Sequence, residues 1–289
     1  MGKKNTAKLR LIAAMAIFGT VGLFRRYIPF GSGAVALARA VIGILFLLIL
    51  QRIKKRPMNR KAIKKNLPIL VASGVVMAIN WILLFEAYNY TTVSAATVCY
   101  YMAPMLVVVF APLILKEKMR PYKLVCAALA VVGIVLVSGV LTDGLSGGIG
   151  IALGLGAAVF YAGVMFLNRF LRDIGAYDRT IGQLAAAAIV LIPYTLLTEP
   201  MPAQLDASAV LMTLVVGVVH TGFAYSLYFG SMDYVPAQAL ALFSYIDPVV
   251  AVLLSALVLH EPLTLLNALG VVLVLGSAAA GELIGEKKR

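Results

Sequence analysis

Long apolar runs dominate the chain, separated by short stretches that are basic or rich in small residues. Val93 to Leu115 carries no charge, and neither does Ala207 to Met232, in which His220 is the one weakly titratable group. Each run exceeds the roughly 20 residues an α-helix needs to cross a bilayer. Ten spans can be drawn from the runs and their breaks, at 9–28, 33–50, 67–88, 93–115, 121–141, 149–168, 178–197, 208–231, 235–259 and 265–284. Backbone groups in lipid must be satisfied inside the segment, so the spans are expected to be helices. Their length and the absence of apolar-polar alternation exclude a β-barrel.

Composition supports this reading. Hydrophobic residues make up 62% of the 289 positions and charged residues only 13%. That charged share is about half of the usual one for a soluble domain, and a soluble fold of this length has too little interior for so much apolar surface. The formal net charge of +13 invites a nucleic-acid reading, but the distribution argues against it. Lys3, Lys4, Lys8 and Arg10 lie before or at the very start of the first span. Eight basic residues between Arg52 and Lys65, then Lys116, Lys118, Arg120 and Lys123, then Arg169, Arg172 and Arg179, and finally Lys287, Lys288 and Arg289 fall in alternate connections. With ten spans, 22 of the 25 Lys and Arg lie on one side, while Asp143, Glu199, Asp206, His260 and Glu261 lie on the other. The positive-inside rule places both termini in the cytoplasm, and a multi-pass chain of the cytoplasmic membrane is expected. Cys99 and Cys126 fall in apolar runs without metal-ligand spacing and read as buried thiols.

The chain repeats itself. Tyr90, Pro104 and Glu117 recur as Tyr234, Pro248 and Glu261, each 144 residues later. In both copies an apolar helix carries an early proline and ends at a glutamate. Five spans per half is an odd number, so the two halves, 1–141 and 142–289, are expected to insert with opposite orientations. Such inverted repeats carry a site near the membrane midplane, between the halves, in secondary transporters.

The residues that repeat also carry a family likeness. Ala87 to Glu117 (AYNYTTVSAATVCYYMAPMLVVVFAPLILKE) resembles the third-to-fourth-helix signature of the drug/metabolite transporter superfamily, EamA type. Asp233 to Glu261, running through DPVVAVLLSALVLHE, resembles the matching stretch of the second repeat. The resemblance implies an all-α membrane fold of ten helices in two inverted five-helix repeats. It further implies a central cavity lined mainly by helices 1, 3, 4, 6, 8 and 9, with helices 5 and 10 peripheral. It implies transport of amino acids, drugs or other small metabolites, and it brings no fixed catalytic residues.

Ionisable groups inside a span are costly and are therefore the first functional candidates. They are Arg39, Glu86, His220 and Asp247. Arg39 and Glu86 lie at similar depth in helices 2 and 3, so an ion pair between them is expected. That pair either fixes two helices or serves as a proton- or substrate-controlled lock. Asp247 precedes Pro248 near the middle of helix 9. Pro248 cannot donate to the Ser244 carbonyl, nor Pro104 to that of Tyr100, so each helix should kink and free an acceptor. The freed carbonyls either bind a substrate donor or are satisfied by neighbouring side chains. His220 is either a titrating group or a contact between helices. Asn80 and Gln238 are candidate interhelical contacts.

Aromatic residues are frequent on the presumed cavity helices, among them Trp81, Tyr100, Tyr101, Tyr225 and Tyr245. With Glu86 or Asp247 they could cage a cation, or hold a zwitterion whose carboxylate meets Asn80. Tyr88 and Tyr90 read as membrane-interface anchors. Gly144 to Gly148 formally fits a nucleophile-elbow pattern but lacks the strand-to-helix context that gives the pattern meaning. The expectation is thus a secondary transporter, and not an enzyme, with no cofactor. It would export a small amine, amino acid or amphipathic compound with protons as the coupling ion and Glu86, or else Asp247, as the titrating group. Nutrient uptake on the same fold is the runner-up, ahead of a channel. A monomer is plausible.

Overall fold

The computed structural model describes residues 3–115, 121–137, 147–199, 206–232, 234–235 and 243–287. The described residues are helical, with no strand among them. In chain order the helices are α1 (Lys3–Gly19), α2 (Val21–Arg26), α3 (Ser32–Ile53), α4 (Arg60–Tyr90), α5 (Val93–Tyr100), α6 (Ala103–Leu115), α7 (Pro121–Val137), α8 (Gly148–Phe170), α9 (Ala176–Thr198), α10 (Ala207–Val215), a π-helical stretch (Val216–Phe223), α11 (Ala224–Met232), α12 (Ile246–Leu257) and α13 (Leu265–Lys287). Among the described residues seven helical stretches, two of them interrupted by a turn, are long and apolar enough to cross a membrane, and three shorter apolar helices (Leu124–Val137, Ile246–Leu257 and Leu265–Ser277) occupy the places of the remaining expected spans. Gly144, Ser146, Glu117, Asp143, Asp233 and Gln238 lie outside the described residues.

Local chemistry sets the helix starts. Asn59 caps α4 by accepting from the Ala62 N–H at 3.1 Å, and Thr92 caps α5 by accepting from Ala95. Each side chain answers a first-turn N–H that has no helical partner. Helix α4 begins seven residues before the apolar run at 67, because the Asn59 cap and the basic stretch Arg60 to Lys65 carry helix out beyond the apolar zone. Its 31 residues make a rod of about 46 Å, longer than a hydrocarbon core.

Two helices expected to be kinked are broken outright. Tyr101 and Met102 form a turn between α5 and α6, and Tyr245 forms one before α12. Pro104 and Pro248 therefore sit in the first turns of new helices, where a missing N–H costs nothing. A third break, at Thr20, separates α1 from α2. Gly19 makes this crossing possible: a Cβ there would lie 2.5 Å from the Asp247 carbonyl oxygen.

The core is built from pairs of helices. One cluster joins α3, α4 and α9 around Leu47, Phe85, Tyr88, Leu184 and Leu191. Another joins α5, α7 and α13 around Val98, Ala130 and Val274. Helices α7 and α13 meet at glycines: a Cβ on Gly133 would lie 2.7 Å from the Gly270 carbonyl oxygen, and one on Gly270 would lie 2.5 Å from that of Gly133. Their other faces expose Val125, Val131, Leu265 and Val272. Apolar side chains displayed in this way suit lipid as solvent rather than water. Cys99 and Cys126 are buried free thiols.

Candidate functional site

Polar contacts divide the molecule into two ends. At the basic end, Asp178 on α9 accepts from the Gln51 side chain at 2.7 Å and from the Asn59 N–H at 3.0 Å. Lys65 pairs with Asp173 at 3.0 Å, and the Asn66 amide donates to the Arg172 carbonyl at 2.8 Å. At the opposite end two glutamates cap helices of the other half of the chain. Glu199 accepts from the Gly33 and Ala34 N–H groups at 2.7 and 2.9 Å. Glu261 accepts from the Val93 N–H at 2.8 Å and pairs with Arg26 at 2.9 Å. His260 adopts φ +52°, a left-handed turn that folds the chain back and delivers Glu261 to α5. A carboxylate at a helix N-terminus meets both orphan N–H groups and the positive end of the helix dipole.

Between these ends lies a cavity of about 330 Å³. Arg39, Asn80, Trp81, Tyr100, Tyr101, Tyr225 and Asp247, all candidates from the sequence, line it. It also takes in Tyr161, Asn168, Arg179 and Gln183, which were not singled out as candidates. Residues from α3 and α9 thus join the wall, although the family resemblance pointed to other helices. Gln183 lies 144 residues after Arg39, and that spacing was the available signal. Lining by Asn168, Arg179 and Thr180 carries the cavity toward the basic end.

The expected ion pair between Arg39 and Glu86 is not formed. Arg39 donates its Nε–H to the Thr221 hydroxyl at 2.8 Å, and its Cζ lies 4.4 Å from the centroid of the Trp81 ring. Glu86 instead accepts from the Ser32 hydroxyl at 2.7 Å and from the Asn89 amide at 3.2 Å. Arg25 reaches the same network, donating to Ser32 at 3.3 Å and to the Ile28 carbonyl at 2.8 Å. Equal depth along two helices does not set the side from which a side chain projects, and Ser32 on the first turn of α3 is nearer to Glu86 than Arg39 is. Glu86 therefore belongs to the end opposite the basic loops and does not line the cavity.

Three further assignments shift. His220 is buried outside the cavity, with Nε2 2.7 Å from the Thr20 hydroxyl and its ring edge-on to Phe24 at 4.9 Å. Tyr245 is buried beside the break before α12 and does not line the cavity. Tyr88 is not an interface anchor: it is 2% exposed and shares a hydrogen bond with Thr97 at 3.3 Å. Tyr90 is exposed. Asn80 lines the cavity but also donates to the Ala157 carbonyl at 2.6 Å, tying α4 to α8. Pro104 and Pro248 act through the breaks and not as lining residues.

The π-helical stretch was not legible from composition. Its wider turns pair groups five residues apart, as when the Thr221 hydroxyl approaches the Val216 carbonyl at 3.3 Å. Consecutive residues thereby serve different neighbours, His220 reaching Thr20 and Thr221 reaching Arg39.

A helical bundle of this kind, with broken central helices around a polar and aromatic cavity, has the form of a membrane carrier. The chain belongs to the EamA-like transporter family, which it matches over residues 6–139 and again over 148–280. It is 27% identical over 282 residues to the uncharacterized transporter YxxF of Bacillus subtilis (strain 168), covering 96% of this chain and 89% of that protein. It is 23% identical over 219 residues to Protein PecM of Dickeya dadantii (strain 3937), covering 73% of this chain and 74% of that one. A solved crystal structure 19% identical in sequence shares the fold, with a TM-score of 0.68 over 97% of this chain and 98% of that chain.

Proposed function

We propose that the protein is a secondary active transporter that moves a small metabolite across the cytoplasmic membrane by alternating access. On this reading ten helices form two inverted halves, 1–141 and 142–289, and the two stretches that match the family support that division. The basic end faces the cytoplasm, as the positive-inside rule requires.

One observation carries the reading. A cavity large enough for a small metabolite reaches from mid-helix toward the basic end, while Glu261 and Arg26 pair across the opposite end. That is the asymmetry of a carrier accessible from one side. Alternation requires the Arg26, Glu261 and Val93 contacts to separate while the cavity closes at the basic end.

Asp247 carries the coupling proton. It is the one carboxylate that lines the cavity among the described residues, and the Tyr101 hydroxyl is within hydrogen-bonding reach of it. The breaks at Thr20, Tyr101 and Tyr245 place the moving joints beside it. Export of an amine, amino acid or amphipathic compound is the direction proposed.

Purified protein in liposomes tests this. An imposed proton gradient should drive saturable accumulation of a labelled substrate, and excess unlabelled substrate on the far side should produce counterflow. Flux that never saturates and shows no counterflow would identify a channel instead.

A further inference from the structure

The cavity contains a buried cation that makes no ion pair with an acid among the described residues. Arg39 is 7% exposed. A guanidinium has five N–H donors, and Thr221 takes one of them, the Nε–H. Among the described residues no other hydrogen-bond acceptor and no carboxylate within ion-pair distance engages the rest, because Glu86 is spent on Ser32 and Asn89. Thr221 at its Nε edge and the Trp81 ring against its face hold the group, and the residue lines the cavity.

A buried charge left alone is strongly unfavourable, so a group held in this way is poised for a counter-charge from outside the protein. Arg is well suited to that task, since its planar fork grips a carboxylate through two parallel hydrogen bonds. Asp247 lines the same cavity yet makes no ion pair with Arg39. The two opposite charges thus share one chamber and feel each other's field without an ion-pair contact. Rings fill the wall around them: Tyr100 and Tyr161 stack with centroids 4.9 Å apart and planes 7° from parallel, and Phe18 meets Tyr225 edge-on at 5.5 Å.

We infer that Arg39 and Asp247 are the two poles of a zwitterion site, an inference that rests on the transport reading above. The substrate carboxylate docks on the free edge of Arg39, its ammonium group on Asp247, and a flat apolar body packs among Trp81, Tyr100 and Tyr161. A simple amine would leave Arg39 uncompensated, and a simple acid would leave Asp247 so.

Three probes of one shape separate the poles: phenylalanine, phenethylamine and 3-phenylpropionate. Binding is measured by calorimetry on purified full-length protein, and counterflow on the same preparations in liposomes. Wild type should bind phenylalanine roughly ten-fold or more tighter than either half-molecule, since a site built for a polar group discriminates against ligands lacking it. Arg39→Gln should bring phenylalanine down to the level of the amine while leaving the amine within about two-fold, and Asp247→Asn should bring it down to the level of the acid. Arg39→Lys keeps the charge without the fork and should fall between, which covers the case in which Arg39→Gln does not fold. Equal binding of the three probes, no saturable binding of any, or a uniform loss for all three in Arg39→Gln would overturn the site. Charge-selective binding without flux would sink the transport reading and leave the site standing. Flux indifferent to Arg39→Gln would do the reverse.

Discussion

The Arg39 guanidinium and the Thr221 hydroxyl meet at 2.8 Å, joining α3 to the π-helical stretch. The same threonine turns its methyl group toward Gly43, where a Cβ would lie 2.6 Å from it. Polar and apolar faces of one side chain thus fix both the orientation of Arg39 and the approach of two helices. Hydrogen bonds to a charged group contribute about 1.5–3 kcal/mol. Thr221→Val keeps the shape and removes the acceptor, so thermal unfolding in detergent should show a loss in that range. Thr221→Ser keeps the hydroxyl and should lose less. A loss in Thr221→Ser with none in Thr221→Val would mean that the methyl contact, and not Arg39, is what matters.

Glu261 is the contact expected to open during transport. It joins Arg26, the start of α5 and, through its second oxygen, the Ser255 hydroxyl. Glu261→Gln keeps a weak acceptor and removes the charge that answers Arg26. The equilibrium should move toward opening at that end by about 1–3 kcal/mol, the usual scale of coupling between states. A cysteine placed at Leu84, in a chain whose two native cysteines are replaced, reports this. A membrane-impermeant maleimide added opposite the basic loops should label it several-fold faster in the variant, in keeping with that coupling. Unchanged labelling would make Glu261 a helix cap only.

Gly19 and Gly230 make a matched pair of opposite sign. A Cβ on Gly19 would collide with the Asp247 backbone, whereas one on Gly230 meets nothing within 4 Å. Gly19→Ala should push the start of α12 away and cost about 1–3 kcal/mol as an overpacked contact, with loss of flux. Gly230→Ala relieves the helix of a poor helix former and should be neutral or stabilising by up to about 1 kcal/mol. Melting curves of the two variants, run alongside flux, check both.

Much of the architecture was legible because lipid makes apolar length a direct signal. The runs at 33–50, 149–168 and 178–197 correspond to α3, α8 and α9 with ends moved by only a few residues. Pro104 and Pro248 marked the right places for interruption, although first-turn geometry turned expected kinks into breaks. The partners of buried groups were not legible. Depth along a helix follows from counting residues, but the direction in which Arg39 or Glu86 points depends on how each helix is rotated against its neighbours. Tyr161 and Asn168 were missed for the same reason: they lie on one face of α8, and nothing in the sequence says which face turns inward. The pairing of Tyr161 with Tyr100 exists only once α5 and α8 are packed.

Helices α3 and α9 are tied at both of their ends, and this sets a prediction of a different kind. Glu199 at the end of α9 caps α3, and Asp178 at its start holds Gln51 and Asn59 beside the end of α3. Two helices fastened in this way move together and act as an axis rather than as a gate. Asp178→Ala leaves two donors without their acceptor. The Gln51 amide is buried, whereas Asn59 is exposed and can turn to water; one unsatisfied buried donor costs about 1–3 kcal/mol, so the unfolding midpoint should fall below that of wild type. Labelling of the cysteine at Leu84 should nevertheless stay close to the wild-type rate, because Glu199 still holds the far end. Faster or slower labelling in Asp178→Ala would show that α3 and α9 part during the cycle, and the moving boundary would then have to be drawn between them.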